Sequence, residues 1–250
     1  MISEIFRNRT KPGMEVSSRY STGELVKRLK SYDHEDALIS LDVDGCLRRS
    51  PTMVVTIKSF FKPQRWYKHP EWLFDAFYSG FGLIATGHDR EDIETFSLDY
   101  AKEYVLPHLP PGLIDKLAID ESPPLFDGVK ETLGHFPKAE KIIVSRGFSE
   151  IVQSNVGELG LSKEKGYHSV EDKGEVVLNH AGNQEAGINR ILIFGDLNVD
   201  LQAAEDARKA GYQVDCVQVC KHFHPDNFDP RATIFVPRNW SGIDYLLKER

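Results

Sequence analysis

Asp42 and Asp44 are two carboxylates two residues apart, in the run Ile39-Ser40-Leu41-Asp42-Val43-Asp44-Gly45-Cys46-Leu47. Side chains at i and i+2 of a strand share a face, so the pair addresses one ligand if strand geometry persists through Asp44. Two adjacent acids without a base beside them repel each other, and a hard cation is the usual remedy. The chemistry in view is a magnesium site in which one carboxylate stays available to react. Gly45 permits a sharp exit and a close backbone approach. Read alone, the same residues are equally a polar turn, with Asp-Gly supplying the turn chemistry.

Two further segments have the same form. Ile142-Ile143-Val144-Ser145-Arg146-Gly147-Phe148 carries a hydroxyl and then a glycine out of an apolar run. A hydroxyl beside backbone amides at a helix start is an anion cradle, although a serine there is also an ordinary turn residue. Ile193-Phe194-Gly195-Asp196-Leu197-Asn198-Val199-Asp200 presents two more carboxylates, and Asp200 in a first helical turn suits the helix dipole. Between them lies Lys173, in the charged loop Glu171-Asp172-Lys173-Gly174-Glu175. A lysine there is usually just solvated; beside clustered carboxylates and a phosphate it is the natural point charge. Lys163 and Lys165 compete for that role, and Lys173 is preferred because a short strand over Tyr167 to Val170 precedes it.

The elements that must position these residues alternate in type. Ser21-Thr22-Gly23-Glu24 has capping-box spacing and starts a helix running to about Ser31, with Leu25, Val26 and Leu29 on one face. Ala37 to Leu41 reads as a buried strand. Asp127 to Phe136 reads as a short helix, Lys141 to Ser145 as a strand, and Phe148 to Leu159 as a helix closed by Gly160. Ile191 to Gly195 is a strand, and Val199 to Ala210 a helix ended by Gly211. Val214 to Val219 and Thr233 to Val236 are strands, and Gly242 to Lys248 is a closing helix. This alternation predicts an α/β fold: a Rossmann-like parallel sheet with helices on both faces, whose strand carboxyl ends hold the ligand. Residues 1–20 show no period and are expected to be an arm packed on the surface or frayed.

Between Arg48 and Ser122 the composition shifts toward aromatics, with helical spacing in Trp72 to Phe81 and Asp92 to Val105. The expected organisation is a core of residues 1–47 and 123–250 with a mostly helical cap, residues 48–122, inserted in it.

Composition limits the function classes. A formal net charge of −7 argues against a nucleic-acid surface as the main business. No apolar run reaches membrane length, the first residues lack a signal peptide's apolar stretch, and 3 cysteines form no disulfide framework. The expectation is a cytoplasmic protein with no membrane partner. Cys216, Cys220, His222 and His224 have the alternate spacing of a shared strand face and the ligand types of a zinc site. The spacing matches no common zinc module, however, and Val214 to Val219 already reads as core, where cysteine behaves as a small apolar residue.

Taken in order, Asp42-Val43-Asp44-Gly45, the strand ending in Ser145, Lys173, and Gly195-Asp196 followed by Asp200 resemble the four ordered motifs of the haloacid dehalogenase superfamily. The likeness spans about Leu38 to Val236, places the insertion where that superfamily carries its cap, and is similar around Phe126 to Gly160 to the phosphoserine-phosphatase-like branch. Cys46 replaces the threonine common after the glycine, and Arg146 stands where the phosphoserine phosphatases more often have glycine.

The resemblance implies a role for each residue. Asp42 is the nucleophile that forms an aspartyl-phosphate, and Asp44 is the acid and then the base. Ser145, Arg146 and Gly147 hold the phosphoryl oxygens, and Lys173 neutralises charge. Mg²⁺ binds Asp42, the Asp44 backbone carbonyl and Asp196, with Asp200 in support. It further implies a Mg²⁺-dependent phosphatase acting on a small phosphorylated metabolite. The alternatives are a phosphotransferase or mutase using the same intermediate, and a binding or regulatory protein on the same fold. Within the insertion, Arg65, Trp66, Tyr67 and Arg90 are the candidate specificity residues. Oligomeric state is not legible in the sequence.

Overall fold

A computed structural model describes residues 6–8, 14–49, 122–184 and 187–249. The chain divides into two compact units, Met1–Arg49 with Pro124–Arg250 and Ser50–Pro123, and the elements below belong to the first. The expected helices over Trp72 to Phe81 and Asp92 to Val105 lie outside the described residues, as do Arg65, Trp66, Tyr67 and Arg90.

The first unit is built on eight strands: β1 (Phe6–Asn8), β2 (Val16–Ser18), β3 (Ala37–Leu41), β4 (Glu140–Val144), β5 (Gly166–Tyr167), β6 (Arg190–Gly195), β7 (Gln213–Cys220) and β8 (Ile234–Pro237). Among the described residues six α-helices accompany them: α1 (Thr22–Ser31), α2 (Val129–Gly134), α3 (Ser149–Glu158), α4 (Lys173–Gly182), α5 (Asn198–Lys209) and α6 (Ser241–Lys248). The sheet order is β1-β2-β8-β7-β6-β3-β4-β5. From β8 to β5 every pair is parallel, whereas β1 pairs antiparallel with β2 and β2 with β8.

Chain order reverses at β3. From it the chain steps to β4 and β5 on one side, and later to β6, β7 and β8 on the other. In open α/β sheets the crevice outside the strand carboxyl ends at such a reversal is the ligand site. Asp42 follows β3 directly and Asp196 follows β6 directly, so these two acids lie at the reversal.

All five residues of β3 are buried, as a strand covered on both faces requires. Registered neighbours Leu38, Ile191 and Val214 share one face. With Ile142, Val144, Ile193 and Cys216 they pack on Val177 and Ala181 of α4 and on Leu201, Ala204 and Ala207 of α5. The alternate residues point the other way. There Phe194 stacks on Trp240, with ring centroids 4.2 Å apart. On the same side Asp215 of β7, fully buried, accepts bonds from Tyr20 Oη (2.8 Å), Tyr32 Oη (3.0 Å) and Arg28 Nε (3.1 Å). Three donors from the N-terminal segment and α1 compensate the desolvation of that carboxylate.

The structure corrects the sequence reading in four places. The N-terminal arm is not a surface appendage: it supplies β1 and β2, which extend the sheet. Strands of three residues are too short for a period-2 pattern to emerge. The sheet is therefore mixed, with two antiparallel strands added at one end and β1 as the edge. Lys173 does not lie in a loop but opens α4, where Asp172 Oδ1 accepts the Glu175 amide at 2.9 Å. The short strand over Tyr167 to Val170 contracts to β5, because Ser169 adopts a positive φ of 53° that extended backbone cannot accommodate. Finally, α2 is shorter than Asp127 to Phe136, because Gly128 takes a left-handed φ of 82° at its start.

The described residues on either side of positions 50–121 meet each other. Arg48 bridges to Leu125, and the Phe126 amide donates to Leu47 O at 2.8 Å. Among the described residues no helix is long and apolar enough to cross a membrane.

Candidate active site

Asp42, 4% exposed, takes its position from β3, whose ladder continues one residue further through the Asp42 amide to Phe194 O at 3.0 Å. The strand ends there. Gly45 has a φ of 85°, and the chain turns through Asp44, so strand alternation does not align Asp44 with Asp42. Asp44 is half-buried in the turn and bridges to Arg48.

The α4 and α5 N-termini meet the same point from the helix layer. Lys173 Nζ donates to Asp42 Oδ1 at 2.6 Å and to Asp200 Oδ1 at 2.7 Å, with all three side chains no more than 4% exposed. Asp200 Oδ2 accepts the Leu197 amide at 3.3 Å, which fixes the carboxylate across its own first turn. Gly195 makes that approach possible, since a Cβ on it would stand 2.2 Å from Asp200 Cβ. Lys163 and Lys165 are not at the site: Lys165 pairs with Glu140, and Lys163 lies in an exposed helical turn.

Carboxylate oxygens of Asp42, Asp196 and Asp200 lie within 4.8 Å of one another. Burial, together with repulsion from Asp200 and Asp196, pushes the Asp42 carboxyl well above the ordinary range, against the pull of Lys173. For Lys173, burial works against the charge, but Asp200 and Asp42 outweigh it and hold the ammonium above its usual value. The donor set fits a hard divalent cation: it is all oxygen, and a cation between the acids relieves the repulsion that raises Asp42. Asp44 lies outside this carboxylate group. Cys46 is buried in the turn, where burial first, then Asp42 and Asp196, push its thiol up, and it is not among the clustered ligand atoms.

Ser145 leaves the end of β4, the parallel neighbour of β3. It is 1% exposed, and its backbone is clamped by the Tyr167 carbonyl and the Val170 amide. Its Oγ accepts the Gly147 amide at 3.1 Å. That amide is thus committed within the loop and is not offered to an anion; in exchange it orients the Ser145 hydroxyl so that its own proton is available to donate. Arg146 is half-buried between them, and α3 begins without a side-chain cap.

Sequence reasoning missed Arg238. Its Nε donates to Gly45 O at 3.1 Å and its Nη2 to Asp196 Oδ2 at 3.2 Å. No local signal marks it, because the contact depends on β8 delivering Arg238 beside a turn 193 residues earlier.

No protein-family model matches the chain, and no curated protein matches it. Solved structures do. The magnesium-bound putative HAD-hydrolase YfnB from Bacillus subtilis is 16% identical at a TM-score of 0.47, over 84% of this chain and 97% of that one. A phosphoserine phosphohydrolase-like protein from Francisella tularensis is 16% identical at 0.48, over 84% and 99%. The L-2-haloacid dehalogenase from Xanthobacter autotrophicus is 14% identical at 0.38, over 77% and 80%. The likeness is one of architecture at low identity.

The Cys/His set is dispersed in character. Cys216 and Cys220 are buried on β7, where burial pushes the Cys220 thiol up to about 12, while His222 and His224 are exposed on the following loop.

Proposed function

We propose that this chain is a Mg²⁺-dependent phosphatase that hydrolyses a small phosphomonoester through a phosphoryl group carried on Asp42. The observation that carries this reading is Lys173, buried and shared between Asp42 and Asp200, beside the third carboxylate of Asp196 at the sheet's reversal point. A carboxylate cluster held by one ammonium presents a nucleophile and a cation seat together, and phosphoryl transfer demands little else from a protein than position and charge.

In the first step a carboxylate oxygen of Asp42 attacks phosphorus and the bond to the leaving oxygen breaks. Asp44, half-buried in the adjoining turn, supplies the proton that oxygen needs. In the second, Asp44 takes a proton from water, the water oxygen attacks phosphorus, and Asp42 is released as its carboxylate with inorganic phosphate as product. Throughout, Lys173 fixes the orientation of Asp42, and the Ser145 hydroxyl donates to a phosphoryl oxygen. Asp42, Asp196 and Asp200 would hold Mg²⁺, which when bound would neutralise charge on the transferring group. A proton-donating residue beside the nucleophile favours phosphate ester cleavage over carbon–halogen cleavage, where the departing halide needs no proton.

The test is release of inorganic phosphate from an aryl phosphate by the purified chain with Mg²⁺. Turnover that stops on chelation and in Asp42→Asn supports the reading. Turnover that persists in Asp42→Asn, or no turnover on an aryl phosphate and a panel of phosphorylated metabolites, rejects it.

A further inference from the structure

Arg238 has no role in the chemistry above, yet it touches two parts of the site. Its Nε reaches the Gly45 carbonyl in the turn after the nucleophile (3.1 Å), and its Nη2 reaches Asp196 Oδ2 (3.2 Å). We infer that Arg238 is a positioning residue for the metal seat, whose guanidinium ties the Gly45 turn to the Asp196 carboxylate and holds that carboxylate in its ligating orientation. The inference rests on the proposed Mg²⁺ site.

Three observations support it. The pair is not a solvated surface contact, because the Asp196 side chain is 2% exposed and that of Arg238 21%. The packing at the junction is tight: a Cβ on Gly45 would stand 2.1 Å from Asp196 Oδ2 and 2.8 Å from Arg238 Nη2, so turn, carboxylate and guanidinium meet with no slack. Arg238 is also held from both sides along the chain. Pro237 pairs with Cys220 of β7, and Trp240 is stacked on Phe194 with its amide 2.7 Å from Asp127 O. The Phe126 ring supports the guanidinium at 5.8 Å. A planar fork with two fixed N–H directions can serve a carbonyl and a carboxylate at once, which a lysine ammonium does far less well.

A simpler role, counter-charge alone, predicts the opposite behaviour. Three acids (Asp42, Asp196, Asp200) against two bases (Lys173, Arg238) leave 3 − 2 = 1 negative charge, and deleting a base would then tighten cation binding. If Arg238 positions Asp196, both Arg238→Ala and Arg238→Lys bind Mg²⁺ more weakly, by about tenfold or more, the usual penalty for losing a partner behind a metal ligand.

The experiment is Mg²⁺ titration by calorimetry of the wild-type chain and both variants, each shown folded by circular dichroism. It is paired with the Mg²⁺ concentration giving half-maximal phosphatase rate. The expected result is a rise of about tenfold in both Mg²⁺ constants for both variants, with kcat largely regained at saturating Mg²⁺. A lowered Tm with unchanged Mg²⁺ constants reduces Arg238 to a structural residue and overturns the inference. Tighter binding in Arg238→Ala with unchanged binding in Arg238→Lys overturns it in favour of counter-charge. A wild-type chain that binds no Mg²⁺ overturns the parent reading and this inference with it.

Discussion

Lys173 Nζ lies 2.6 Å from Asp42 Oδ1, across 131 residues of sequence, and the same ammonium lies 2.7 Å from Asp200 Oδ1. One buried cation thus joins the ends of β3 and the starts of α4 and α5. Removing one partner of such a group strands the other charges out of water. Lys173→Met is therefore expected to destabilise the fold by about 3–5 kcal/mol. Lys173→Met with Asp200→Asn is expected to recover part of that loss, because the second change removes one stranded carboxylate. Urea unfolding of the wild type, both singles and the double measures the coupling; strictly additive effects would show that the contact carries no energy of its own.

Much of this arrangement is legible in the sequence because both faces of the central strands are covered. Ile191–Gly195 reads as an unbroken apolar run and Ala37–Leu41 as one interrupted only by Ser40, and polar residues directly after such runs stand out. Asp42, Ser145 and Asp196 are visible for that reason, and Asp200 as an acid in the first turn of the helix that follows. The helix opened by Lys173 is hidden by the charges of Glu171 to Glu175, although Asp172 and Glu175 have the spacing of a cap. The strands β1 and β2 are hidden by their shortness. Arg238 could not have been found, since its function exists only once β8 has brought it against Gly45.

Asp44 is the residue whose role depends on the leaving group. Asp44→Asn is expected to lose about 10²- to 10⁴-fold in kcat with an alkyl phosphate, whose alkoxide must be protonated as it leaves. With an aryl phosphate the loss in the first step is smaller, because a phenolate departs without help. The comparison is kcat/KM for both substrates in wild type and variant. Equal losses would remove Asp44 as the acid.

Gly195→Ala tests the close approach of α5. The added methyl would meet Asp200 Cβ at 2.2 Å, an atom fixed to the backbone that cannot swing aside. Overpacking of this kind costs about 1–3 kcal/mol, and here it also pushes Asp200 away from Lys173. Gly157→Ala in α3 is the control: nothing lies within 4 Å of its Cβ position, and alanine is favoured over glycine in a helix by roughly 0.5–1 kcal/mol. Thermal melts should move in opposite directions for the two variants. A Gly195→Ala protein as stable and active as the wild type would mean that the α5 turn has room it does not show.

His180 gives the fold an acid-sensitive point away from the active site. It is 7% exposed, with Nδ1 2.7 Å from Tyr167 Oη and Nε2 3.2 Å from Glu140 Oε1. Gln184 Nε2 also stands 3.1 Å from His180 Nε2; a neutral ring serves the first two contacts at once, with Nδ1 accepting from the phenol and Nε2–H donating to the carboxylate. Burial lowers its pKa from the ordinary 6.5; Glu140 opposes that shift, and Lys165 adds to it. The folded protein therefore resists protonation of a ring that the unfolded chain protonates readily. Below pH 6.5 the unfolded state binds more protons, so stability falls as pH drops through the window from 6.5 to the lowered folded value, and this contribution is flat beneath it. His180→Gln keeps hydrogen-bonding groups and removes the titration. Urea unfolding of both proteins from pH 7.5 to 5 should show a smaller acid-side loss in the variant, and parallel curves would place the acid sensitivity on other groups.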